Sequence, residues 1–135
     1  MTDPEHFHEP GSAIMVADAD PFVRELTGQF LIEAGYEVQF AHDGYEALDK
    51  VRKSRPLVLM VDIIIPKLDG LALCRLIKSD PVTDNVRVII FSVLSSQARA
   101  QKAGADAFLL KPLEKARLYE TITSMMKQRG TLCYD

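Results

Sequence analysis

The stretch PLVLMVDIIIPKLDG, residues 56–70, ends the most apolar strand candidate of the chain, Leu57 to Val61, on an acid, Asp62. Five consecutive apolar residues without polar alternation suit a strand covered on both faces, as in a parallel sheet. Pro66 and the Asp69-Gly70 pair then break the chain into a loop before the next apolar stripe. The stretch therefore reads as buried strand, acid, loop and helix start.

The same alternation extends both ways. Upstream, Ala13 to Ala17 is an apolar run that stops at Asp18, and Asp20-Pro21 has the form of a helix cap followed by proline at the first helical position. Phe22, Val23, Leu26, Phe30 and Leu31 form a helical stripe ended near Gly35. Tyr36 to Ala41 reads as a strand, Asp43-Gly44 as a turn, and Tyr45, Ala47, Leu48 and Val51 as a second stripe before Pro56. Downstream, Leu71, Leu73, Cys74, Leu76 and Ile77 mark a third helix closed by Asp80-Pro81. Val86 to Phe91 is a fourth strand and Ser95 to Ala103 a short helix stopped at Gly104. Ala107 to Leu110 is a fifth strand, and a last helix runs from about Glu114 to Gln128, with Leu118, Ile122, Met125 and Met126 as its buried stripe. Five strands alternating with five helices predict an α/β, three-layer, doubly wound parallel sheet of flavodoxin-like order 2-1-3-4-5.

Composition agrees with one domain. The 135 residues are 47% hydrophobic and 26% charged, ordinary for a globular chain. A net charge of −3 gives no electrostatic case for direct nucleic-acid or anionic-membrane binding. The longest apolar run is far below the roughly 20 residues that span a bilayer. The first residues are acidic and rich in proline and histidine, so no signal peptide is visible and the expected compartment is cytoplasmic. Residues 1–12 read as a disordered leader, 13–128 as the domain and 129–135 as a tail. His6 and His8 fit a polar tail better than a metal clip. Cys74 and Cys133 have no metal-ligand spacing; reduced thiols fit them better than a disulfide.

In doubly wound sheets chemistry collects beyond the carboxyl ends of the strands. There the order places Asp18 and Asp20, then Asp62, then Ser92, then Lys111 followed by Pro112. Two or three carboxylates, a hydroxyl and a lysine suit phosphoryl transfer to a carboxylate. Aspartate is a competent nucleophile when a divalent cation offsets the repulsion between anions. Magnesium takes hard oxygen ligands from one or two carboxylates, and a lysine and a hydroxyl can hold the remaining phosphoryl oxygens. Asp20 reads more readily as a helix cap than as a further metal ligand.

Taken together, IMVADADPFVREL (14–26), PLVLMVDIIIPKLDGLALCRLIK (56–78), VRVIIFS (86–92) and KAGADAFLLKP (102–112) resemble the CheY-like receiver domain of two-component response regulators, over about residues 13–127. The resemblance implies an aspartyl phosphate on Asp62, accepted from a histidine kinase or a histidine phosphotransfer protein. It implies Mg2+ held by Asp18 and Asp62, with Lys111 and Ser92 about the phosphoryl group and a cis bond before Pro112. Ser92 and Phe108 are then the switch that repacks the face of the fourth helix, fifth strand and fifth helix, where a downstream protein docks. In this reading the chain is a signalling phosphoprotein, not an enzyme beyond its own phosphorylation and dephosphorylation.

Four departures accompany the resemblance. Ala19 replaces the usual second acid, which predicts weak magnesium binding unless Asp20 compensates. Ile64 and Leu94 are apolar where access of the hydrolytic water is governed, which predicts slow dephosphorylation. Val93 crowds the pocket mouth, and the stretch from Ser92 to Lys111 is about one helical turn short. Two alternatives follow: a phosphate-independent pseudo-receiver, and a haloacid-dehalogenase-like phosphatase using Asp18-Ala19-Asp20. The latter lacks the late acidic pair that chemistry needs. No DNA-binding output domain is expected after about residue 128. Lys115, Arg117 and Lys127 read as a solvated face more readily than as partner contacts.

Overall fold

The computed structural model describes residues 13–127. The leader with His6 and His8, Cys133, Gln128 and the tail lie outside the described residues.

The elements alternate as β1 (Ala13–Ala17), α1 (Pro21–Glu33), β2 (Glu37–Ala41), α2 (Gly44–Ser54), β3 (Val58–Asp62), α3 (Gly70–Ser79), β4 (Arg87–Ser92), α4 (Gln97–Lys102), β5 (Ala107–Leu110) and α5 (Lys115–Lys127). The sheet is parallel throughout with order β2-β1-β3-β4-β5, as the alternation predicts. Within β1, β3 and β4 successive side chains face opposite layers. Met15, Ala17, Leu59, Val61, Val88 and Ile90 pack on α2, α3 and α4. Ile14, Val16, Val58, Met60, Ile89 and Phe91 pack on α1 and α5. This double covering is why those strands read as continuous apolar runs.

Caps set the helix starts at the functional end of the sheet. Asp20 accepts a hydrogen bond from the Phe22 amide at 2.9 Å with Pro21 at the first helical position, and Asp69 accepts from the Ala72 amide at 2.9 Å. Next to Asp69, Gly70 is required by contact: a Cβ there would run into the carbonyl oxygen of Asp62. The Gly70 amide instead donates to the Ile63 carbonyl at 2.9 Å, locking α3 against the end of β3. By contrast, α4 has no side-chain cap and buries only Ala100, which explains why it spans only six residues rather than the predicted Ser95 to Ala103.

Three helical stripes differ from their expectation. Phe22 (72% exposed), Leu26, Tyr45 and Leu76 face outward, while Thr27, Gly28 and Leu31 form the buried face of α1. Apolar residues surround α1, so period alone does not pick its inner face. Close approach does: Gly28 lies so near the Phe40 ring that a Cβ there would collide with it.

Candidate functional site

Parallel register brings the ends of β1, β3, β4 and β5 to one rim. Ala17 pairs with Val61, Asp62 with Phe91, and Ser92 with Leu110. The residues that follow, Asp18 after β1 and Lys111 after β5, therefore meet Asp62 and Ser92 at one end of the sheet.

Lys111 is the centre of the cleft. Its Nζ donates to Asp18 Oδ2 at 2.8 Å and to Asp62 Oδ2 at 2.7 Å, and stands 4.8 Å from the centre of the Phe91 ring. The side chains of Asp18, Asp62 and Lys111 are 2%, 14% and 11% exposed. Burial alone pulls the Lys111 pKa down, but the two aspartates outweigh it and hold it above the ordinary lysine value. The lysine is thus charged at neutral pH, and two acids and one base share the cleft. The Lys111-Pro112 peptide bond is cis, as expected.

The second oxygen of each aspartate is also engaged. Asp62 Oδ1 accepts from the Ile64 amide at 3.1 Å, and Asp18 Oδ1 from the Asp20 amide at 2.8 Å. Ser92 is fully buried, its Oγ accepting from the Leu94 amide at 3.1 Å, while its carbonyl receives the Lys111 amide at 2.8 Å. Phe108 is half-buried against the α2–α3–α4 layer. Asp20 is exposed and caps α1, so the structure places it in the helix-cap role. Ile64, Val93 and Leu94 are exposed at the mouth, at 64%, 66% and 49%.

One residue missed from the sequence is Arg24, whose Nη1 donates to the Asp18 carbonyl at 2.6 Å. Its signal was its place one helical turn after the Asp20 cap, from which a long side chain reaches back over the loop.

Among the described residues, no three histidine, cysteine, aspartate or glutamate side chains gather closely enough to hold a metal ion. Asp18 and Asp62 nonetheless supply two hard carboxylates at one cleft. Magnesium is held by one or two carboxylates with water completing its shell, so this donor set fits it. Cys74 is free and buried, its thiol pushed up to about 11 by burial. No described helix is long and apolar enough to cross a membrane.

The chain matches the response regulator receiver domain family over residues 14–123. It is 35% identical over 118 residues to the response regulator MprA of Mycobacterium avium, covering 85% of this chain and 51% of that protein. It thus spans about half the length of the curated relatives it matches. Among solved structures, a response regulator from Chloroflexus aurantiacus has TM-score 0.82 at 29% identity, covering 87% of this chain and 98% of that one. The receiver domain of a signal transduction histidine kinase from Syntrophus aciditrophicus has TM-score 0.81 at 27% identity, covering 93% and 96%. The phosphatase reading is left without support. With β2-β1-β3-β4-β5 order and an acid–lysine–acid cleft at the strand ends, the chain belongs to the response regulator receiver domain family.

Proposed function

We propose that Asp62 accepts a phosphoryl group from a phosphohistidine of a sensor kinase or a histidine phosphotransfer protein. The observation that carries this reading is the Lys111 ammonium bridging Asp18 and Asp62 at 2.8 and 2.7 Å. Receiver domains work between a histidine kinase and a downstream effector, and this cleft has the parts for the first half of that task. A carboxylate oxygen of Asp62 forms the new P–O bond as the N–P bond of the donor breaks. The bonding pair returns to the imidazole, which leaves neutral when its other nitrogen carries a proton. Hydrolysis reverses the state: water attacks phosphorus, the P–O bond to Asp62 breaks, and carboxylate and inorganic phosphate remain.

Lys111 is placed to turn from the carboxylate to the phosphoryl oxygens, and the Ser92 hydroxyl to exchange the Leu94 amide for the same group. That movement opens space beside β4 for the half-buried Phe108, coupling the cleft to the face of α4, β5 and α5, where an effector docks. Asp18 and Asp62 would hold Mg2+, whose chemistry is to offset the charge of an anionic donor approaching an anionic acceptor. Binding is weak, because Ala19 contributes no oxygen and Asp20 is engaged at the α1 cap.

Acetyl phosphate with magnesium, followed by intact mass, tests the reading. The wild type should gain one phosphoryl group and Asp62→Asn none; equal labelling of the two would overturn it. A phosphate-independent interaction module is the second reading, favoured by Ala19 and by the lack of a three-ligand metal cluster among the described residues. It predicts no labelling of the wild type.

A further inference from the structure

We propose that Arg24 is a positioning residue of the cleft, holding the β1–α1 loop so that the Asp18 carboxylate faces Asp62 and Lys111. The inference rests on the phosphoacceptor reading of that cleft and names a residue that the reading does not use.

Every polar atom of Asp18 has a partner. Its amide donates to the Ala41 carbonyl at 3.2 Å, its carbonyl receives Arg24 Nη1 at 2.6 Å, Oδ1 receives the Asp20 amide at 2.8 Å and Oδ2 receives Lys111 at 2.8 Å. Two of these partners are backbone groups, and Lys111 belongs to the reacting set. Arg24 is the remaining side chain. It sits in the first turn of α1, where its own amide donates to the Asp20 carbonyl at 3.0 Å. That amide bond is the first backbone bond of the helix and fixes where Arg24 stands; the side-chain bond to the Asp18 carbonyl is what the arginine adds, tying the loop to the helix.

The composition of the loop makes this grip consequential. Residue 19 is alanine and Asp20 caps α1, so Asp18 is the single loop carboxylate turned into the cleft. The orientation of that one carboxylate therefore sets what the loop contributes to the cleft. A guanidinium suits the task because its planar donors make a short, charge-assisted bond to a carbonyl while its charge lies beside the acids. A lysine offers a point charge without the fork.

The test compares Arg24→Gln and Arg24→Lys with the wild type, each also in an Ala19→Asp background that tightens magnesium binding. Calorimetric titration with magnesium should show affinity falling about tenfold or more for Arg24→Gln, as for other groups that orient a ligand from behind, and less for Arg24→Lys. At saturating magnesium, labelling by acetyl phosphate should return close to the rate of the parent, because Asp62 and Lys111 are untouched. Unchanged magnesium affinity in Arg24→Gln would overturn the proposal. So would a lowered plateau rate together with a lowered melting temperature, the signature of general loosening. Absence of phosphoryl incorporation in the wild type would sink the phosphoacceptor reading instead, while the calorimetry still decides the role of Arg24.

Discussion

Lys111 carries two opposed demands in the proposed mechanism, since it neutralises Asp18 and Asp62 in a mostly buried cleft and is to let go when a phosphoryl group arrives. Replacing it with methionine leaves two carboxylates facing each other without a counter-charge. Lys111→Met is expected to lose about 1–3 kcal/mol of stability at neutral pH, part of it recovered when magnesium is added, as read by denaturant melts with and without the ion. Its raised pKa has a pH signature of definite sign. The stabilisation from Lys111 is complete below its ordinary value of 10.5 and disappears as pH climbs through the higher folded value. Glu46 acts at the other end of the scale. The His42 amide, and then the His42 ring and Lys50, hold its carboxyl down from 4.5 to about 2. Its stabilisation is present above pH 4.5 and lost as pH falls toward 2. With about a third of the side chain exposed, the effect is on the order of 2 kcal/mol, and Glu46→Gln should flatten the acid limb of the melting curve. Asp18, Asp62, Ser92 and Lys111 were legible because each closes or directly follows an apolar run. Arg24 was not, because a cation in a first helical turn looks solvated until the loop beneath it is folded.

At the scale of elements, the tight join of β3 to α3 contrasts with α4, which has no side-chain cap and buries only Ala100. Gly70 lets α3 touch the Asp62 backbone, so Gly70→Ala must push either α3 or the acceptor aside. A cost of about 1–3 kcal/mol with slower labelling at Asp62 is the expected outcome of chemical denaturation and acetyl phosphate assays; a neutral substitution would show that the join is not needed. The mouth between β3 and β4 has a different character. Ile64, Val93 and Leu94 set three exposed apolar side chains beside Asp62 and Ser92, and on the proposed function an apolar rim there is a poor path for the hydrolytic water. Ile64→Asn should shorten the phosphoryl lifetime by severalfold, on the order of 1 kcal/mol of barrier; an unchanged lifetime removes the role assigned to that rim. Strand order and helix count followed from period and turn residues. The inward face of α1 did not, because its packing is decided by Phe40 against Gly28 rather than by its apolar residues; on α2 the expected Ala47, Leu48 and Val51 are buried and Tyr45 faces outward. The length of α4 also escaped the apolar pattern, since a helix with one buried alanine and no side-chain cap has little in its sequence to mark where it begins and ends.

For the whole molecule, the parallel sheet brings Asp18, Asp62, Ser92 and Lys111 to one end, with the short helix α4 following β4. Ala19 tests how far that arrangement tolerates the loss of an acid. If Asp18 and Asp62 suffice, the wild type binds magnesium weakly and still forms the acyl phosphate, and Ala19→Asp binds the ion more tightly without a change of acceptor. The most direct measurement is a beryllofluoride titration in saturating magnesium followed by amide NMR. Wild type should shift at Asp62, Ser92, Phe108 and Lys111 together, and Asp62→Asn should not respond. A wild-type spectrum unchanged at saturating beryllofluoride and magnesium would contradict the account.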